Sequence, residues 1–151
     1  MNIEERLKEL GLELPALAAA AGNYLPYVRV GDMIYLSGQL PFLKGALTHK
    51  GKVGAEVSLE EAQQAARTCT LNGLALLREA AGSLDKIAMV RVGGFVASAS
   101  GFTDQPKVIN GASDLLVQIL GENGKHARAA VGVFELPLGV PVEIEFTARI
   151  L

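Results

Sequence analysis

The sequence predicts an α+β domain in which a single sheet carries two long helices on one of its faces. Three observations predict it. Segments 58–81 and 105–120 place apolar residues three and four apart between a helix start signal and a glycine. The stretches 27–36, 86–99 and 126–147 alternate apolar and polar residues or concentrate β-branched ones, as strands do. The resulting order is strand, strand, helix, strand, helix, strand, strand, with no repeat, linker or low-complexity segment dividing it.

Each element has its own signal. Asn2 caps a short helix with Ile3, Leu7 and Leu10 on one side and Gly11 at its end, so residues 1–21 read as an N-terminal arm and 22–151 as the domain proper. Tyr27 to Leu36 holds Gly31-Asp32 in its middle, the mark of two strands around a tight turn. Ser37-Gly38-Gln39 then breaks the strand. Residues 41–57 are rich in glycine and lysine without a sustained period and read as a loop, with one short strand at Lys52-Val53.

Ser58 and Glu61 form a capping box that opens a helix running to about Ala81, with Gly82 beyond it. Cys69 falls on its apolar stripe with Ala62, Ala65, Ala66, Leu76 and Leu77, which assigns it to the core. Lys86 to Ala99 is the most β-branched stretch and reads as a central strand. Gly93-Gly94 within it points to a bulge or a close backbone approach. Gln105-Pro106 starts the second long helix, since proline suits a first turn, and Val108, Ile109, Leu115, Leu116, Ile119 and Leu120 form its buried side up to Gly121. A final hairpin is expected, turning within 137–141.

Composition bounds the function. The chain has 151 residues, of which 50% are hydrophobic and 20% charged, and its mean hydropathy is +0.30. That is apolar for one domain, and with one sheet face left uncovered it points to a homo-oligomer that buries that face. A net charge of −2 and an aromatic content of 5% without tryptophan argue against a nucleic-acid partner. The first 22 residues carry acids where a signal peptide carries lysines, and their apolar run is too short for a bilayer. A single cysteine excludes an internal disulfide. The expectation is a cytoplasmic protein with no membrane association.

Common catalytic motifs are missing. His49 and His126, the only histidines, stand in separate segments without Cys or acid at metal-ligand spacing, so no metal site is expected and both read as surface or loop residues. The glycines near Lys50-Gly51-Lys52 lack the context of a phosphate cradle, and no serine sits in an elbow motif. What remains is the stretch His126 to Glu145. Arg128 is the only charge between His126 and Glu135, and its guanidinium is a planar fork that matches a carboxylate. Glu143, set in Pro141-Val142-Glu143-Ile144-Glu145-Phe146, is placed for partial desolvation, which raises proton affinity and suits a general base. The plainer alternative is a strand with one wet face and solvated carboxylates. In a simple hairpin, residues whose numbers sum to about 277 face each other, which leaves Arg128 roughly 20 Å from the position opposite Glu143. A shared site then calls for a bulge, strong curvature or a neighbouring subunit, and the neighbouring subunit is favoured.

These residues resemble the RidA or YjgF group of reactive-intermediate deaminases, also known as endoribonuclease L-PSP proteins. The resemblance runs from Gly22 to Leu151 and rests on Pro26-Tyr27, Ser37-Gly38-Gln39, Gly51-Lys52-Val53-Gly54, Asn110, and Arg128 through Glu145 with its Leu136-Pro137. It implies a chorismate-mutase-like α+β fold and a homotrimer with ligand clefts between subunits. It also implies that Arg128 grips a substrate carboxylate, Glu143 positions water for attack on an imine carbon, and Tyr27 lines the cleft. Asn110 and the backbone at Gly38 correspond to further substrate-binding positions; the alternatives are a half-buried strand aromatic for Tyr27 and a helix-surface amide for Asn110. The implied reaction is hydrolysis of an enamine or imine such as 2-aminoacrylate to a 2-keto acid and ammonia, without a cofactor. Ala130 stands where the deaminase branch commonly has cysteine, and the arm and the longer loop near His49 mark a divergent subgroup. A module that binds small carboxylates without turnover is the main rival, and endoribonuclease activity ranks third.

Overall fold

The computed structural model describes residues 1–17 and 23–151; the expected boundary between residues 21 and 22 lies outside them. Helix α1 (Ile3–Glu9) has the capping box that Asn2 makes with Glu5, and buried Leu7 on its inner side. Glu4 pairs with Arg78 at 3.1 Å, and the backbone N–H of Ile3 donates to Asp85, so the arm docks beside the ends of both long helices. Strands β1 (Tyr27–Val30) and β2 (Met33–Leu36) form the expected tight hairpin. The loop after them contains a small ladder of β3 (Phe42–Leu43) and β4 (Ala46–Leu47), which sequence period alone does not reveal in strands this short. At the expected strand Lys52-Val53 only isolated bridges form, from Val53 to Val57 and Ser98.

Helix α2 (Leu59–Ala81) begins on the Ser58–Glu61 box and ends on Gly82, whose φ of 83° is the left-handed turn that glycine adopts without strain. Strand β5 (Ile87–Ala97), helix α3 (Gln105–Leu120), strand β6 (Ala127–Val133) and strand β7 (Val142–Ile150) complete the chain.

The five-stranded sheet has the order β1-β2-β7-β5-β6. This corrects the expected terminal hairpin. β6 lies parallel to β5 at the sheet edge, while β7 inserts antiparallel between β2 and β5. The reason is the intervening helix: β5, α3 and β6 make a strand–helix–strand crossover, and such a crossover returns the chain parallel. Residues 134–141 then carry it across β5 to the sheet interior, with Leu138 in the left-handed region at φ 60°.

Both long helices cover one face of the sheet. The core between them contains Ile34, Leu77, Ile109, Leu116, Ile144, Phe146 and Cys69, all at most 2% exposed. Gly94 explains the paired glycines of β5, because a β-carbon there would come within 2.5 Å of Ile109, so α3 packs directly on the backbone. The bulge lies elsewhere, at Met89 to Arg91. The other face carries exposed Val28, Val30, Tyr35 and Val131 in register with polar residues of β7, and nothing within the chain covers it among the described residues.

Candidate active site

Glu143 and Glu145 alternate with buried Val142, Ile144 and Phe146, so both point to the open face of the sheet. Their surroundings differ. Glu145 pairs with Arg91 of β5 at 3.2 Å, whereas no cation pairs with Glu143 among the described residues. Burial, and then the charge of Glu145, push the Glu143 carboxyl above the usual carboxylate range. Desolvation disfavours the ionised form, and a like charge adds to that cost.

The Ser37-Gly38-Gln39 break creates this environment. Tyr35 stands opposite Thr147, but Gln39 bridges to Ile144, so four steps on one strand match three on the other. The extra residue bends the chain as a bulge does. Ser37 Oγ donates to the carbonyl of Leu25 at 2.6 Å, and Gln39 exchanges backbone bonds of 2.7 and 3.0 Å with Ile144. Held between them, Gly38 presents bare backbone to Glu143, and a β-carbon at position 38 would collide with Glu143 Oε2.

Arg128 belongs to the other side of the sheet. Its Nη1 donates to Asn110 Oδ1 at 2.8 Å and to Ser113 Oγ at 3.1 Å, both on α3. The guanidinium is exposed and has no carboxylate partner among the described residues. Arg128 is opposite Val92 on β5, and Glu143 is opposite Phe95, two strands from β6. The two functional groups of one copy therefore sit on opposite faces of the sheet, with backbones roughly 14 Å apart by strand spacing and rise. They do not meet within one chain.

Tyr27 lies opposite Leu36 on the helix-covered face, packed against the core and away from Glu143. Burial, and then the Glu79 carboxylate, push its phenol up. Asn110 is part of the arginine's support, not an isolated surface amide. Sequence reasoning missed Ser113 and His126, which bond to each other at 2.8 Å beside Arg128. The signals were spacing: Ser113 follows Asn110 by three on a helix, and His126 precedes Arg128 by two in the extended residue that leads into β6, so each pair shares a face.

Cys69 is fully buried, and burial followed by the charge of Glu143 pushes its thiol well up, which suits packing and not nucleophilic attack. No three His, Cys, Asp or Glu side chains cluster as metal ligands, and no helix is long and apolar enough to cross a membrane, among the described residues. A groove lined by Leu17, Tyr24, Gly38, Leu40, Phe42 and Asn72 opens nearby, but neither Arg128 nor Glu143 lines it.

Comparison with known proteins agrees with this architecture. The family model described as "YjgF/chorismate_mutase-like, putative endoribonuclease" matches residues 4–144. Protein TCP17 of Trypanosoma cruzi is 44% identical over 148 residues, covering 95% of this chain and 91% of that protein. Protein mmf1, mitochondrial, of Schizosaccharomyces pombe is 33% identical over 133 residues, covering 86% and 70%. The crystal structure of Atu1372 from Agrobacterium tumefaciens, a protein described as having unknown function, is similar at a TM-score of 0.90 and 46% identity, covering 98% of this chain and 91% of that one. With the fold, the register and these matches in agreement, the chain belongs to the YjgF/chorismate-mutase-like family.

Proposed function

We propose that the protein hydrolyses reactive enamines or imines of small carboxylates, such as 2-aminoacrylate, to a 2-keto acid and ammonia. The observation that carries this reading is Glu143, the β7 carboxylate left without an ion pair among the described residues, whose proton affinity is raised beside the bare backbone of Gly38. An acid moved toward neutrality takes and returns a proton more readily at physiological pH.

The site is proposed to form across the interface of a homotrimer, with Arg128 of one copy facing Glu143 of a neighbouring copy. Two facts support that arrangement: the opposite-face placement of the two groups in one chain, and the exposed Val28, Val30, Tyr35 and Val131 on the uncovered sheet face. Arg128 would hold the substrate carboxylate by two parallel hydrogen bonds, and the backbone at Gly38 would line the cleft beside Glu143; Tyr27, which faces away from Glu143 in its own copy, is left out of it. Asn110 is assigned to holding the arginine.

In the reaction, the enamine first tautomerises to the imine, taking a proton from solvent at carbon and losing one N–H proton to solvent. Glu143 then removes a proton from water as the water oxygen bonds to the imine carbon, and the C=N electron pair passes to nitrogen, which takes that proton from Glu143. In the collapse of this carbinolamine Glu143 takes the hydroxyl proton and passes it to the amine nitrogen, so that C=O forms as C–N breaks and ammonia leaves. The imine carbon is already electrophilic, so positioning and one proton shuttle suffice without a cofactor.

Carboxylate binding without turnover is the second reading, favoured by Ala130, which packs toward the core and brings no thiol to the arginine's neighbourhood. Endoribonuclease activity, which the family description names, ranks last because a net charge of −2 and an aromatic content of 5% provide neither phosphate-binding charge nor stacking surfaces. The proposed compartment is a reducing one such as the cytoplasm, where the single thiol of Cys69 persists; since a relative carries a mitochondrial name, cell fractionation distinguishes the two. The test of the activity is release of ammonia and keto acid from freshly generated 2-aminoacrylate. Acceleration by the wild type that is lost in Arg128→Ala supports the proposal, binding of 2-ketobutyrate without acceleration supports the second reading, and neither result removes both.

A further inference from the structure

We propose that His126 and Ser113 are positioning residues that, with Asn110, lock one end of the Arg128 guanidinium and thereby set its opposite edge as the fork that receives a planar carboxylate. The inference rests on the functional reading above only for the identity of the guest. Its geometry stands alone.

The relay begins at Gly124, which is buried with its backbone packed against that of Leu116 in α3, so its carbonyl has a fixed position. That carbonyl lies 2.6 Å from His126 Nδ1 and can only accept, so Nδ1 carries a proton. In the tautomer that this bond selects, Nε2 is an acceptor, and it lies 2.8 Å from Ser113 Oγ, whose hydroxyl donates to it. Orienting the hydroxyl this way turns an oxygen lone pair toward Arg128, whose Nη1 donates to it at 3.1 Å. The second proton of Nη1 goes to Asn110 Oδ1 at 2.8 Å.

Both Nη1 protons are thus engaged, and the guanidinium is planar. What remains are the Nε proton and the two of Nη2, and of these Nε–H and one Nη2–H lie parallel on one edge and match the two oxygens of a carboxylate. A freely rotating arginine would present any of its donor pairs; this one presents a single edge. The ordering entropy is lost on folding and not on binding, which favours a small anion that brings few contacts of its own.

The test reads the lock and the binding separately. In heteronuclear NMR spectra of the full chain, the two Nη1 protons of Arg128 are expected to give separate resonances in the wild type. Ser113→Ala and His126→Ala should average them by restoring rotation, and Ser113→Thr, which keeps the hydroxyl, should retain the separation. Binding of 2-ketobutyrate should weaken roughly tenfold in both alanine variants, as for loss of one hydrogen bond in a charged network, with the melting temperature little changed. Unchanged Arg128 resonances in both alanine variants, or wild-type affinity in both, would overturn the relay. A locked wild type that either substitution unlocks, but that binds no 2-ketobutyrate, supports the relay and removes the functional reading instead.

Discussion

The carboxyl of Glu143 occupies the space that a side chain at Gly38 would fill, so acid and bare backbone form one unit built by the extra residue between Tyr35 and Gln39. Replacing Gly38 by alanine forces the end of a flexible side chain to move, leaving the core alone. Gly38→Ala is expected to cost about 1 kcal/mol of stability, the lower end for overpacking, while reducing turnover far more. Parallel thermal melts and 2-aminoacrylate assays check this, and an active variant would show that the close approach is not used.

Glu143→Gln separates catalysis from stability. Loss of the proton shuttle should lower kcat by roughly 10²–10⁴. Stability should move the other way at neutral pH. The folded state raises the Glu143 pKa, so this group contributes stability that is fully present below its unfolded pKa and is lost as pH rises through its folded value. Glutamine carries no such loss. Denaturant titrations from acid to neutral pH should therefore show the variant gaining on the wild type as pH increases from the ordinary carboxylate range upward; a pH-independent difference would contradict the raised affinity.

Arg128→Lys retains the charge but loses the planar fork. It is expected to weaken binding of 2-ketobutyrate at least tenfold, because lysine cannot offer two parallel donors. The exposed position predicts a stability change within about 0.5 kcal/mol. Calorimetric titration beside a melting curve reads both quantities.

Gly111→Ala is the control that should harm the fold and not the chemistry directly. A β-carbon there would lie 2.5 Å from the backbone carbonyl oxygen of Gln63, where α3 crosses α2. Backbone yields less than a side chain does, so about 1–3 kcal/mol of destabilisation is expected by chemical denaturation.

Much of this was legible in the sequence because the signals were local. The Ser58–Glu61 box, Gly82, Pro106 and Gly121 delimit α2 and α3 by capping chemistry that needs no knowledge of the rest of the chain. The partner of β6 was not local. A proline- and glycine-containing stretch between two apolar runs reads as a hairpin, yet the strand–helix–strand order of β5, α3 and β6 already called for parallel pairing. Of the site, Arg128 and Glu143 stood out as charges on apolar strands. Their separation onto opposite faces followed from sheet order, and the roles of Ser113 and His126 needed α3 to be laid beside β6.

Subunit mixing tests the site shared between copies directly. Arg128→Ala and Glu143→Gln chains, each inactive alone, are to be unfolded together, refolded and assayed on 2-aminoacrylate. If each site takes its arginine and its acid from different copies, random closed rings recover about one quarter of wild-type activity. A mixture that assembles into the wild-type oligomer yet stays as inactive as its two parents would contradict the shared site.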